Sequence, residues 1–221
     1  MPAPAPTPMT CSVIELRRYT LHPGARETLV ELFDRELVEP QEAVGMAVLG
    51  QFRDLADPDA FVWLRGFADM AARRRGLEAF YGGPVWRRHR EAANATMLAW
   101  DDVLLLRPTR PWVHRPERRE GRGSPAGGEA SDEAVIAAVH PVTGGDGAAL
   151  AAQLEAATHP RPLLAGSTER ATNDFPALSV READVCVTLA LRTSDPTPSA
   201  PDGLGAPDVA VLTPTPRSAL P

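Results

Sequence analysis

The sequence contains no lysine, so all 23 of its basic residues are arginine. The bias reads as the mark of a GC-rich coding sequence rather than of arginine-specific chemistry. Cysteine is scarce as well. Cys11 and Cys186 form no CxxC pair and have no companion histidine cluster, which argues against a zinc site or a disulfide framework and agrees with a reduced, cytoplasmic setting. No apolar run approaches the roughly 20 residues of a membrane span. The leader MPAPAPTPM lacks the cationic stretch and apolar core of a signal peptide, and residues 1–10 read as a disordered extension. A G-x-S-x-G elbow, an HExxH helix, a GxGxxG turn and a P-loop are all missing, and the turn Gly144-Gly145-Asp146-Gly147 is too short to cradle a phosphate. No metal and no cofactor is therefore implied.

Basic charge is also in deficit. Residues 1–108 hold 13 Arg against 15 acidic residues and 109–131 hold 5 against 3, while the remainder holds 5 against 11 and so supplies the formal charge of −6. A nucleic-acid partner calls for a basic patch or stripe. The only candidates, Arg73-Arg74-Arg75 and Arg87-Arg88 with Arg90, fall on a helical stretch, where a solvated outer face accounts for them.

What is present begins with VIELRRYTL, in which Ile14, Leu16 and Arg18 share one face of a strand and Val13, Glu15, Arg17 and Tyr19 the other. A Pro-Gly turn follows. The stretch from Ala25 to Glu39 places Leu29, Leu32, Phe33 and Leu37 on one stripe of a helix, which Pro40 should end or kink. Two strands, 47–53 and 61–67, join through Asp57-Pro58-Asp59. Asp69 is placed to cap a second helix carrying Met70, Leu77 and Phe80, broken at Gly82-Gly83 and restarted by Pro84. The strand DDVLLLR closes the series. This order predicts an α+β fold built on a ferredoxin-like β-α-β-β-α-β unit over residues 11–108.

The pattern E-L-R-x-Y-T-L followed by Pro-Gly, the hairpin, and the aromatic pair Tyr81 and Trp86 around the glycines resemble a NIPSNAP domain of the bacterial type. The resemblance covers about the first half of the chain. It implies a dimeric α/β-barrel, in which two such sheets pair around an interior, and a fold similar to that of small cofactor-independent monooxygenases and polyketide cyclases. It supplies no catalytic residues to carry over.

Residues 109–131 are rich in Pro, Gly, Arg and Glu and read as a flexible linker. Beyond them the pattern restarts over 132–221. AVIAAVHPV, PLLAGSTERA, DVCVTLALR and DVAVLTP read as strands and ALAAQLEAA as a helix capped by Asp146, whereas SDPTPSAPDGLGAP cannot be a helix interior. The chain thus carries a second, diverged and abbreviated repeat. The tandem units could pair their sheets within one chain, and a homodimer or other partner would cover the flank left by the missing helix.

Chemistry is sought on the face predicted to line the barrel. Glu15, Arg17 and Tyr19, with Phe61, Trp63, Arg65 and Phe67 and with Gln51 and Arg53, would make an aromatic, arginine-rich interior suited to a planar, anionic small molecule. The competing reading pairs Glu15 with Arg17 or Arg65 and leaves a packed barrel. Arg17, Tyr19, Arg53, Trp63 and Arg65, joined by Tyr81, Trp86 and His89, form the candidate ligand-binding set. His89 could serve as a base or a haem ligand, or be a surface or packing residue. Asn173 and Arg181 in NDFPALSVRE could reach the interior or tie down an edge. Two functions stay open: a binding or interaction scaffold, and a cofactor-independent monooxygenase, cyclase or isomerase acting on an aromatic or polyketide-like substrate.

Overall fold

The computed structural model describes residues 8–114, 134–192 and 200–220. The expectations for residues 1–7, for the linker from 115 to 131 and for 193–199 lie outside them.

The first unit runs β2 (Val13–Leu21), α1 (Arg26–Leu32), a π turn (Phe33–Leu37), α2 (Val38–Ala43), β3 (Ala47–Asp54), β4 (Ala60–Phe67), α3 (Met70–Tyr81), α4 (Pro84–Asn94) and β5 (Met97–Pro108). The single helix expected over 25–39 is therefore two. The π turn interrupts it, and Pro40 sits in the first turn of α2, where a missing N–H breaks no helical bond. α3 starts where Asp69 accepts from the Ala72 amide at 2.7 Å, and Pro84 opens α4 as its first residue.

The second unit contributes β7 (Val135–Pro141), α5 (Gly147–Ala157), β8 (Leu164–Thr168), β9 (Val185–Leu191) and β10 (Asp208–Pro214), with Asp146 capping α5 through the Ala149 amide at 2.8 Å. Two short strands remain. β1 (Met9–Cys11) pairs antiparallel with β6 (Trp112–His114), so the end of the expected leader and the start of the expected linker are tied to one another.

All eight long strands close into one barrel, in the order β10-β3-β4-β2-β5-β8-β9-β7. Each half contributes its second, third, first and fourth strands in that order, which is the ferredoxin-like arrangement twice over. Two short seams join the halves. β5 meets β8 from Leu106 to Pro108, and β10 meets β3 from Leu212 to Pro214. The barrel thus forms within one chain.

Its interior is aliphatic. Ile14, Leu16, Leu64, Leu104, Val187 and Leu212 belong to one buried cluster that draws on all eight strands and on no helix. At roughly 1.5 to 3 kcal/mol for each buried aliphatic side chain, this shared core accounts for closure. The face assignment made from the sequence is reversed: Glu15, Arg17, Tyr19, Phe61, Trp63, Arg65 and Phe67 do not line the barrel. Tyr19, Phe61, Trp63 and Phe67 pack with Leu29, Phe33, Leu37, Leu77 and Phe80 in the layer between sheet and helices. The physical reason is closure itself, since eight strands leave a narrow lumen that mostly aliphatic side chains fill, with Phe52 as the aromatic exception among its buried members. On the other unit, α5 covers β8 and β9 through Leu150, Ala151 and Leu154 against Cys186.

Candidate functional site

Glu15 lies at the centre of β2, opposite Arg65 on β4, on the face covered by α3. Strand alternation places Arg17 two residues on, and the helical spacing Met70, Arg73, Leu77, Phe80 brings Arg73 down onto the same carboxylate. Three guanidiniums converge. Arg17 Nη1 and Arg65 Nε each donate to Glu15 Oε2 at 2.7 Å, and Arg73 Nε donates to Oε1 at 2.7 Å. All four side chains are essentially without solvent contact.

Burial would push the Glu15 carboxyl up, but Arg65, Arg17 and Arg73 together outweigh it and hold the group well below the usual carboxylate range. Arg17 Nε donates to the Tyr19 hydroxyl at 3.1 Å, and Arg65 Nη1 donates to the Gln41 Oε1 and Tyr81 hydroxyl oxygens at 3.3 Å each. Burial keeps the Tyr19 phenol protonated well past its ordinary range. Trp63 stands against two of the guanidinium carbons, 5.1 Å from Arg65 and 5.5 Å from Arg17, in cation–π contact.

The cluster is positive. Against three arginines stand Glu15 and one partly exposed carboxylate, Asp174, whose Oδ1 accepts from Arg73 Nη1 at 2.7 Å. Among the described residues, two of the cluster's guanidinium nitrogens, Arg65 Nη2 and Arg73 Nη2, have no hydrogen-bond partner, and neither has the Trp63 indole N–H or the Gln51 side-chain amide. Buried donors without acceptors are costly, and a buried guanidinium especially so.

Beside the cluster the helices leave a narrow slot of about 30 Å³, room for about one water. Tyr19, Phe33, Gln41, Trp63, Tyr81 and Trp86 line it. Its aromatic rings interlock edge to face, Tyr81 with Trp86 at 5.1 Å and Phe33 with Trp63 at 4.9 Å. The π turn that supplies Phe33 and Leu37 is braced by the C-terminal segment. Thr215 Oγ1 donates to Asp34 Oδ1 at 3.2 Å, and Arg217 Nη1 donates to the Asp34 carbonyl at 2.9 Å. Burial pushes the Asp34 carboxyl up to about 6. A roomier opening, about 320 Å³, lies at the end of α5, where Glu155 is already held by Thr109, Arg110 and Arg161.

Six of the eight residues predicted from the sequence gather here: Arg17, Tyr19, Trp63, Arg65, Tyr81 and Trp86. Two do not. Arg53 forms a two-pronged pair with Glu27 at the surface, at 2.6 to 3.1 Å, and His89 lies 3.5 Å from Glu36. Arg73 corrects the reading of its run as a solvated face, for it is buried while Arg74 pairs with Glu78 in solvent. Its place in the Met70–Leu77–Phe80 stripe was the available signal. Gln41 and Asp174 carried none, whereas Asn173 was one of the two NDFPALSVRE residues that could reach the interior. Asn173 Oδ1 accepts from Arg73 at 3.0 Å, whereas Arg181 ties down an edge, pairing with Asp102 at 2.8 Å and donating its amide to the Val103 carbonyl.

Residues 14–111 match the family model described as NIPSNAP. Two solved structures share the fold over most of their length. One, a "putative monooxygenase" from Lactobacillus acidophilus NCFM, is 13% identical, with 94% of each chain covered and a TM-score of 0.56. The other, a "putative monooxygenase" from Fusobacterium nucleatum subsp. nucleatum ATCC 25586, is 8% identical, with 94% of this chain and 92% of that one covered and a TM-score of 0.55. A NIPSNAP-like domain protein from Burkholderia xenovorans is 23% identical over 42% of this chain and 81% of its own, with a TM-score of 0.39. Among curated proteins, none matches.

Proposed function

From the premise that residues 14–111 are a NIPSNAP domain, we propose that the chain is a small-molecule-binding barrel protein whose ligand is planar and anionic, held between the helices and the sheet of its first unit. The observation that carries this reading is the surplus of buried positive charge, with Arg65 Nη2 and Arg73 Nη2 lacking acceptors beside an aromatic slot. A ligand carboxylate would supply the missing charge and acceptors through charge-assisted bonds, and its ring would pack against Tyr81 at the border of the slot.

The alternative is a cofactor-independent monooxygenase, cyclase or isomerase. The names of the two full-length structural neighbours point that way, but likeness at 13% and 8% identity supports the fold alone. General acid–base chemistry needs a group that trades a proton near neutral pH. Glu15 is locked in its ionised form by three guanidiniums and Tyr19 in its protonated form by burial, so neither supplies that group.

The test is a panel of aromatic carboxylates set against their neutral amides, followed by tryptophan fluorescence and by thermal shift. Carboxylates should raise Tm and perturb Trp63 and Trp86, and the amides should do neither. A panel in which no carboxylate moves either signal would overturn the proposal.

A further inference from the structure

The two units also differ in the connection between their second and third strands. In the first unit β3 passes to β4 through residues 55–59; in the second, β8 passes to β9 through residues 169–184. The longer connection crosses the β5–β8 seam onto the helix-covered face of the first unit. Its ends are fastened there: the Glu169 amide donates to the Leu105 carbonyl, the Arg181 amide to the Val103 carbonyl, and Leu178 and Val180 join the apolar layer.

Its tip has a particular chemistry. Asp174 sets a carboxylate oxygen 2.7 Å from Arg73 Nη1, and the next residue, Phe175, stacks its ring on Tyr81 at 6.1 Å with the planes 22° apart. Asn173 shapes the turn, accepting from the Phe175 amide at 3.2 Å and donating to the Leu178 carbonyl at 2.8 Å. A carboxylate and a benzene ring a few bonds apart are the two recognition elements of an aryl-alkanoic acid. Both are aimed at the residues that would bind one, since Tyr81 also borders the slot and accepts from Arg65. The fit is incomplete. Asp174 keeps about a quarter of its side chain in solvent and leaves Arg73 Nη2 without an acceptor.

We infer that Asp174 and Phe175 are a built-in stand-in for the ligand, that the site takes an aryl-alkanoic monocarboxylate, and that this ligand enters by displacing the tip of the 169–184 connection. The inference rests on the binding reading above and adds the ligand class and an autoinhibitory contact. A ligand that must displace a resident segment binds more weakly by the fraction of time the seat is free.

The experiment uses the full chain and 3-phenylpropionate, with 3-phenylpropionamide as control, titrated by calorimetry. Replacing the tip by Asp174→Asn with Phe175→Ala should tighten binding of the acid by about tenfold while the amide stays silent. Independently, hydrogen exchange at the amides of residues 173–175, 177 and 178 in the unaltered protein should speed up when the acid is bound, because the tip is released. Binding by the unaltered protein with no gain in the double variant overturns the stand-in and leaves the binding reading in place. Failure of both proteins to bind the acid takes down both. Should the variant not fold, the exchange measurement decides alone, and slower exchange on binding overturns the inference.

Discussion

At the scale of single residues, charge bookkeeping around Glu15 makes an ordered prediction. Glu15→Gln leaves three buried guanidiniums facing only Asp174, and should cost roughly 3 to 5 kcal/mol, the usual penalty for removing one partner of a buried pair. Arg65→Met leaves two guanidiniums against two carboxylates, so it should destabilise less than Glu15→Gln while abolishing carboxylate binding. Urea midpoints in the reverse order would refute this account of the cluster. Two of the buried carboxyls, Glu15 and Asp34, also set opposite pH slopes. Glu15, depressed in the fold, contributes stability that is present above the unfolded value of about 4.5 and is lost as pH falls below it. Asp34, raised to about 6 from 3.8, works the other way: its contribution is intact below about pH 4 and is lost as pH climbs to about 6, an effect on the order of 3 kcal/mol. Asp34→Asn should therefore raise Tm at pH 7 and change it little at pH 4. Equal shifts at both values would rule out Asp34 as the source of the slope.

At the scale of elements, the order of helices and strands was legible because period and punctuation agree: alternation in VIELRRYTL, Asp69 and Asp146 as caps, Pro84 restarting a broken helix. Which face of β2 turned inward was not. An apolar face and a charged face are equally consistent with alternation, and the choice depends on partners far away in sequence, namely the aliphatic residues of β7 to β10 that fill the lumen and Arg73 and Asp174 that satisfy the charges. Arg17, Tyr19, Trp63 and Arg65 could be gathered without knowing the face, because residues of one strand face stay together whichever way it points, while Tyr81 and Trp86 on the helices came from the pattern around the glycines. Asp174 and Phe175 lie in NDFPALSVRE, a stretch the sequence does single out, but nothing local shows that its tip reaches another unit. The packing of β1 gives a further prediction. A Cβ at Gly66 would lie 2.6 Å from Cys11 Sγ and 2.9 Å from Cys11 Cβ. Gly66→Ala should thus push β1 off the barrel at a cost of about 1 to 3 kcal/mol. It should also open Cys11, whose thiol burial now pushes up to about 12, to alkylation. A variant as stable and as unreactive as the parent would show that β1 yields freely.

At the scale of the whole molecule, one aliphatic core belongs to both units, and neither can keep its share when the other opens. Calorimetry should accordingly show a single unfolding transition, and two resolved transitions would mean that the seams at β5–β8 and β3–β10 are weaker than the core they enclose. The resemblance to a family of dimers foresaw the sheet pairing. The sequence also suggested that one chain could supply both sheets, without deciding between pairing within the chain and pairing between chains. Closing a barrel from two covalently joined and unequal halves has a further consequence, for stoichiometry. A symmetric dimer offers two identical seats, which can communicate and give sigmoidal saturation; among the described residues only the first half carries helices between its third and fourth strands, α3 and α4, and the other half lends its long connection to the proposed seat. Saturation should be hyperbolic with one ligand per chain, and the second half, relieved of symmetry, is free to diverge as a regulator of the first.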